Sequence, residues 1–146
     1  MRNEPPYSIE TPMKIALAQI NPTVGDFAGN SAKILEFAER ARQRGAGLAV
    51  FSELSLCGYL PLDLIERPQF IERNERELAF LAKRLPIPSI VGYAARATAP
   101  TGKTAANASA LLAHNFFHFC CGYWGYANHF SMHSLPVSAR FVTNPS

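Results

Sequence analysis

The stretch Leu48–Leu64, LAVFSELSLCGYLPLDL, decides the fold of this 146-residue chain. Its first four residues are all apolar, which is typical of a central strand that is covered on both faces in an α/β sheet. Glu53 follows at the end of that strand, where open α/β sheets place their ligands. The sequence therefore predicts an α/β fold with a carboxylate at the carboxyl edge of its sheet.

The surroundings of Glu53 along the chain support two interpretations. Bulky apolar residues precede it, and Leu54 and Leu56 follow it. Poor solvation would disfavour the charged carboxylate and make it readier to take up a proton, as a general base must. The same spacing fits equally well a glutamate that is merely exposed at a strand end and has no chemical role.

The rest of the chain alternates strands and helices. Apolar runs predict strands, and apolar residues near the helical period predict two helices. Asn30 or Ser31 is the predicted N-cap of the first helix, and Pro68 occupies the first turn of the second. Strands joined by right-handed crossovers are parallel, whereas the last strand returns antiparallel. The predicted strands are 14–20, 48–51, 87–94 and 105–113, and the predicted helices are 30–44 and 68–85.

Composition narrows the class of protein. Hydrophobic residues make up 48% and charged residues 17% of the chain, which favours one globular domain over disorder. A net charge of +3 without a basic stripe gives no support for nucleic-acid binding, and no apolar run is long enough for a membrane span. Residues 1–12 have no apolar signal region, so we expect a disordered leader. Three cysteines without a framework spacing favour a reducing cytoplasm.

The motif Phe51–Tyr59, FSELSLCGY, followed by Pro61–Leu64, PLDL, closely resembles the carbon–nitrogen hydrolase (nitrilase) superfamily. Within it, the segment is most similar to the glutaminase domains of glutamine-dependent NAD synthetases. The opening strand Met13–Asp26 and the Val91–Tyr93 segment share the resemblance. It implies that residues 13–114 form part of a four-layer α-β-β-α sandwich. Residues 62–65, LDLI, argue against another amidase of the superfamily.

The resemblance also implies a function. Such domains hydrolyse the side-chain amide of glutamine and supply ammonia for NAD synthesis, with a glutamate base, a lysine and a cysteine nucleophile. Glu53 falls on the base position, but the lysine and cysteine positions are not matched, so we expect the chain to be inactive. The domain needs no cofactor, since ATP and magnesium belong to a separate ligase domain, and family members are usually homo-oligomers. The alternative is a non-catalytic interaction fragment that pairs through an exposed sheet edge.

Residues 115–146 differ in character from the rest of the chain. They contain a single charged residue, Arg140, and eight of the chain's sixteen aromatic residues. The resemblance to the family is absent there. We interpret this segment as an aberrant tail, produced by a change of reading frame near His114 and Asn115.

Two further groups of residues could carry chemistry. Cys57 lies four residues from Glu53, but its motif position favours a small packed side chain over a nucleophile. Two histidine pairs have a spacing that could bind zinc from helices, although the surrounding glycines and aromatic residues are unfavourable for helices. We therefore predict no metal site at His114, His118, His129 and His133.

Overall fold

The computed structural model describes residues 12–96 and 105–113, and the backbone alone of residues 116–120. The described residues form five strands, two α-helices and one short 3₁₀-helix. In chain order the elements are β1 (Ile15–Ala18), α1 (Phe27–Gln43), β2 (Leu48–Phe51), the 3₁₀-helix (Leu62–Glu66), α2 (Pro68–Ala82), β3 (Ser89–Arg96), β4 (Ala105–Ala113) and β5 (Phe116–Cys120).

One mixed sheet, in the order β1-β2-β3-β4-β5, organises these elements. The first three strands are parallel, and β4 and β5 join them antiparallel. Alternate strand residues, among them Ala49, Phe51 and Val91, enter a core shared with Ile34 of α1 and Leu78 of α2. The predicted α/β class is confirmed, and so are the parallel start of the sheet and the antiparallel β4.

The opposite face of the sheet is apolar too. Leu17, Val50, Ile90 and Leu111 are register partners in a row across four strands. Leu17 is 83% exposed and the other three are half-buried. The described residues thus supply one helix layer and one sheet, which is half of a four-layer sandwich.

The start of α1 differs from the sequence prediction. The helix begins at Phe27, and its N-cap is Asp26, whose side chain accepts a hydrogen bond from the backbone amide of Gly29 at 3.0 Å. Asn30 therefore lies inside the helix, where it is fully buried. Aspartate, asparagine and serine are all favourable N-cap residues, so residue type did not distinguish Asp26 from Asn30 or Ser31. The observed cap lies about one helical turn before Asn30.

The chain beyond Ala113 is described only in part. The backbone of β5 pairs with β4 over five residues, from Ala113–Phe116 to Ser109–Cys120, although no periodicity predicts a strand there. The predicted leader, 1–12, lies outside the described residues except for Pro12, as does the segment after Cys120. The domain boundary at residue 114 and the origin of the tail stay predictions. In the described part of the chain, no helix is long and apolar enough to cross a membrane.

Candidate active site

Glu53 lies two residues beyond the end of β2, at the carboxyl edge of the parallel strands. Its position is the one predicted, but its solvation is not: the side chain is exposed. Leu54 and Leu56, which were expected to shield it, are buried instead in the core, at 2% and 0% exposure. The prediction of a poorly solvated carboxylate is therefore wrong for the described structure.

A tight turn changes the direction of the chain immediately after β2, where Glu53 lies. Leu54 has a φ of +50°, a left-handed conformation that is uncommon for a residue other than glycine. The backbone amide of Ser55 donates to the carbonyl of Ser52, and that of Gly58 to the carbonyl of Leu54. Because the strand ends before Glu53, the glutamate does not follow the period-two alternation that would place it on the face of Phe51.

This turn packs directly against Gly92 of β3. A Cβ atom at residue 92 would lie 2.5 Å from the carbonyl oxygen of Ser52 and 2.9 Å from Cα of Glu53. The Gly92 carbonyl also accepts hydrogen bonds from the backbone amide of Leu56 at 3.1 Å and from the Ser55 hydroxyl at 3.3 Å. The turn that carries Glu53 can approach β3 this closely only because residue 92 has no side chain.

Asn30 fastens the other end of the turn. Its carboxamide donates to the carbonyls of Thr23 at 2.7 Å and of Leu56 at 3.0 Å, and accepts from the backbone amide of Thr23 at 2.8 Å. The backbone amide of Gly25 donates to the Cys57 carbonyl at 2.9 Å. The loop after β1 and the turn after β2 are thereby joined through a buried, fully used amide.

Asn107 of β4 supplies the polar partner of Glu53. Its Nδ2 donates a hydrogen bond to Oε1 of the glutamate. Among the residues that the structure describes, the second carboxylate oxygen has no hydrogen-bond partner. The site therefore presents an exposed carboxylate with one oxygen held and one open.

Cys57 is packed as the sequence predicts. Its side chain is fully buried, and burial raises the pKa of its thiol to about 11. Because the thiolate is the nucleophilic form, such a thiol is unreactive near neutral pH. Cys57 is therefore a small core residue and no substitute for a catalytic cysteine.

A cleft of about 470 Å³ lies elsewhere, between the starts of α1 and α2. Phe27 and Phe70 pack there with ring centroids 5.0 Å apart, and Arg67 and Arg73 line the same cleft. Glu53 is not part of its lining. This cleft is thus separate from the predicted carboxylate.

The side chains of the four histidines weighed as zinc ligands lie outside the described part of the chain. His114, His129 and His133 lie outside the described residues, and only the backbone of His118 is described. Within the described ranges, no three histidine, cysteine or acidic side chains are grouped so that they could hold a metal. The absence of a metal site in the tail stays a prediction.

Comparison with known proteins places this geometry in a family. The carbon-nitrogen hydrolase family profile matches residues 14–117. The chain belongs to the carbon-nitrogen hydrolase family. The match includes β1 to β4, Asn30, which binds the turn after β2, and Asn107, which binds the Glu53 carboxylate. Membership confirms the resemblance carried by the FSELSLCGY motif.

Individual relatives refine the match. A glutamine-dependent NAD(+) synthetase from Synechocystis is 53% identical over 76 residues, which cover 52% of this chain and 13% of that protein. A synthetase structure from Acinetobacter baumannii superposes with a TM-score of 0.64 and 30% identity, covering 72% of this chain and 19% of that one. An amidase from Nesterenkonia shares the fold alone, with a TM-score of 0.59, 24% identity, and coverage of 73% and 40%. The chain spans a small part of the synthetases it matches.

Sequence reasoning missed the residues that hold Glu53 in place. Asn107 was part of a predicted strand but was given no role, and Asn30 was considered only as a cap. One signal was available for Asn107: asparagine is depleted in strands, and here it interrupts a run of small apolar residues in AANASALLA. Gly92 entered the sequence analysis only as part of the family resemblance. The structure gives a physical reason for glycine at this position, because the backbone of Glu53 approaches it closely.

The close contact at Gly92 leads to a stability prediction. We expect Gly92→Ala to lower the free energy of unfolding by about 2–3 kcal/mol, because its Cβ would collide with backbone atoms that cannot rotate away. Gly47→Ala is a matched control, since its Cβ would meet only the flexible side chain of exposed Met13 at 3.1 Å. The control should stay within about 0.5 kcal/mol of the parent chain. Urea denaturation measures both, and equal effects would contradict this role of Gly92.

Proposed function

We propose that this chain carries the first part of a domain that hydrolyses the side-chain amide of glutamine, with Glu53 as its general base. The ammonia released would supply NAD synthesis, as the names of its relatives indicate. One observation carries the proposal: within the family-matched residues, Glu53 stands at the carboxyl edge of the sheet with one carboxylate oxygen free of described partners.

The proposed chemistry assigns Glu53 two proton transfers. As base it takes the proton of a cysteine thiol while the sulfur bonds to the amide carbon of glutamine. It then gives that proton to the amide nitrogen, which leaves as ammonia when the carbon–nitrogen bond breaks. Water hydrolyses the resulting thioester to release glutamate. The open oxygen of Glu53 and its exposure to solvent suit both transfers.

The two partners of Glu53 in this chemistry have no match in the chain. Its last lysine is Lys103, which precedes β4 in the chain, and Cys57 is buried. Cys120 and Cys121 are adjacent in sequence, a spacing that suits neither a catalytic dyad nor a close chelate. We therefore propose that the chain alone is catalytically inactive and that Glu53 acts only when another segment supplies the lysine and the nucleophile. We also propose that the domain requires no cofactor and that the protein is located in the cytoplasm.

A chimera tests the proposal directly. Residues 14–113 of this chain would replace the matching segment of the Synechocystis synthetase, which retains its own downstream sequence. We expect the chimera to form NAD with glutamine as well as with free ammonia as the nitrogen source. A soluble chimera that uses ammonia at the parent rate but cannot use glutamine would contradict the proposal, because its ligase would be intact while its glutaminase was not.

The edge of the sheet at β1, with which no other described strand pairs on its outer side, favours one alternative, a non-catalytic interaction fragment. β1 lies at the end of the strand order, and Ile15 and Leu17 on it are 50% and 83% exposed. An uncovered edge strand with apolar side chains is a template for pairing with another chain. A stoichiometric complex between this chain and an intact NAD synthetase, lost in a Leu17→Lys variant, would favour this candidate.

A further inference from the structure

We propose that Asn107 is a positioning residue for Glu53: its carboxamide fixes one carboxylate oxygen and leaves the other open for proton transfer. The inference rests on the proposed role of Glu53 as a base. It begins from a single contact, the hydrogen bond from Nδ2 of Asn107 to Oε1 of Glu53, which joins residues 54 positions apart in the chain.

The sheet topology shows that this contact spans an intervening strand. Glu53 follows β2, whereas Asn107 belongs to β4, and β3 lies between them in the sheet. The glutamate must therefore reach across β3 to meet its partner. It crosses at Gly92, where a Cβ would lie 2.9 Å from Cα of Glu53. Gly92 opens the path, and Asn107 receives the side chain at its end.

The position of Asn107 on β4 fits the same role. Its register partner on β3 is Ala94, two residues after Gly92. Ala108, Ala110 and Leu112 of β4 are buried against the helix side, so the alternation of the strand places Asn107 on the opposite face. Asn107 itself is half-buried, which limits its motion while keeping the bonded carboxylate at the solvent-facing side.

An amide is better suited than a charged donor to orienting a carboxylate that acts as a base. Asparagine carries two N–H donors and no charge, so it can hold a carboxylate oxygen without neutralising it. It also cannot release a proton to the base, which a protonated histidine or lysine could. An exposed glutamate samples several rotamers, and a base is effective only when it is held within hydrogen-bond reach of the proton it takes. Asn107 supplies that restraint.

A purely structural role for Asn107 is the competing interpretation. In that case the hydrogen bond would tie the turn after β2 to β4, and the orientation of Glu53 would be incidental. The two interpretations differ in what happens to the Glu53 side chain when the amide is removed and the fold is kept. Positioning predicts a loss of side-chain order confined to Glu53, whereas a structural tie predicts disruption of the turn and of stability.

Nuclear magnetic resonance on the isotope-labelled 146-residue chain distinguishes them. In the parent chain we expect cross-relaxation between the Asn107 carboxamide protons and the Glu53 γ-protons, and side-chain couplings of Glu53 typical of one rotamer. Asn107→Leu is close in size but unable to donate a hydrogen bond. It should abolish this cross-relaxation and change the Glu53 couplings to values averaged over several rotamers. Backbone resonances away from residues 52–54 should stay in place. Ser109→Ala, on the same strand and face, is the matched control and should change nothing at Glu53.

The outcomes decide the matter without measuring activity, so the inference can fail while the proposed function holds, and the reverse. Rotamer-averaged couplings in the parent chain would overturn it, since that measurement needs no variant. Unchanged Glu53 couplings in Asn107→Leu would overturn it as well. Loss of the native spectrum in Asn107→Leu, with Glu53→Ala leaving the Asn107 carboxamide resonances unmoved, would assign the residue a structural role instead.

Discussion

Purified 146-residue chain should release no ammonia from glutamine above the rate of a buffer blank. Removal of a nucleophile costs on the order of a millionfold in turnover, and the oxyanion-stabilising lysine is unmatched as well. An ammonia-release assay at high chain concentration, run beside an intact NAD synthetase as positive control, measures this. Turnover by the chain that Glu53→Gln removes would show that its own residues complete the site.

The buried thiol of Cys57 allows the same prediction to be checked without turnover. A chloroketone analogue of glutamine should leave Cys57 unlabelled at pH 8 in the native chain, because a thiol with a pKa of about 11 is almost wholly protonated there. Labelling should become complete when urea unfolds the chain and exposes the thiol. Peptide mapping separates Cys57 from the two cysteines of the tail. Stoichiometric native labelling that depends on Glu53 would make Cys57 the nucleophile.

Much of the fold follows from local patterns. The strand Leu48–Phe51 and the strand Ala105–Ala113 have the predicted bounds, and α2 starts at Pro68 as predicted. Two of them carry a strong local signal: Leu48–Phe51 is a continuous apolar run, and Pro68 suits a first helical turn. Helix ends were less predictable, since α2 ends at Ala82, three residues before its predicted end at residue 85.

The surroundings of Glu53 could not be predicted in the same way. Its exposure depends on the left-handed backbone of Leu54, a conformation that a leucine in a sequence does not signal. Its partner, Asn107, is brought near only by the order and register of three strands. Long-range register is a property of the assembled sheet, so the sequence pointed to the carboxylate but not to the residues that hold it.

The proposed role of Glu53 as a general base leads to the second large effect. In the chimera that carries residues 14–113, Glu53→Gln should lower NAD formation from glutamine by about a hundredfold or more, the typical contribution of a general base. Folding should be nearly unchanged, because the side chain is exposed and contributes little packing. NAD formation from free ammonia should survive, since it bypasses the glutaminase reaction. The variant thus separates loss of the base from loss of the protein.

The ratio of glutamine-dependent to ammonia-dependent NAD formation, measured in the chimera and in its Glu53→Gln variant, tests the central claim most directly. A proton-accepting Glu53 predicts that the ratio falls by about a hundredfold or more while the ammonia rate stays constant. Glu66→Gln, another exposed glutamate within the same segment, is the matched control and should leave the ratio unchanged. An unchanged ratio in Glu53→Gln would contradict the account, because Glu53 would then not be the base.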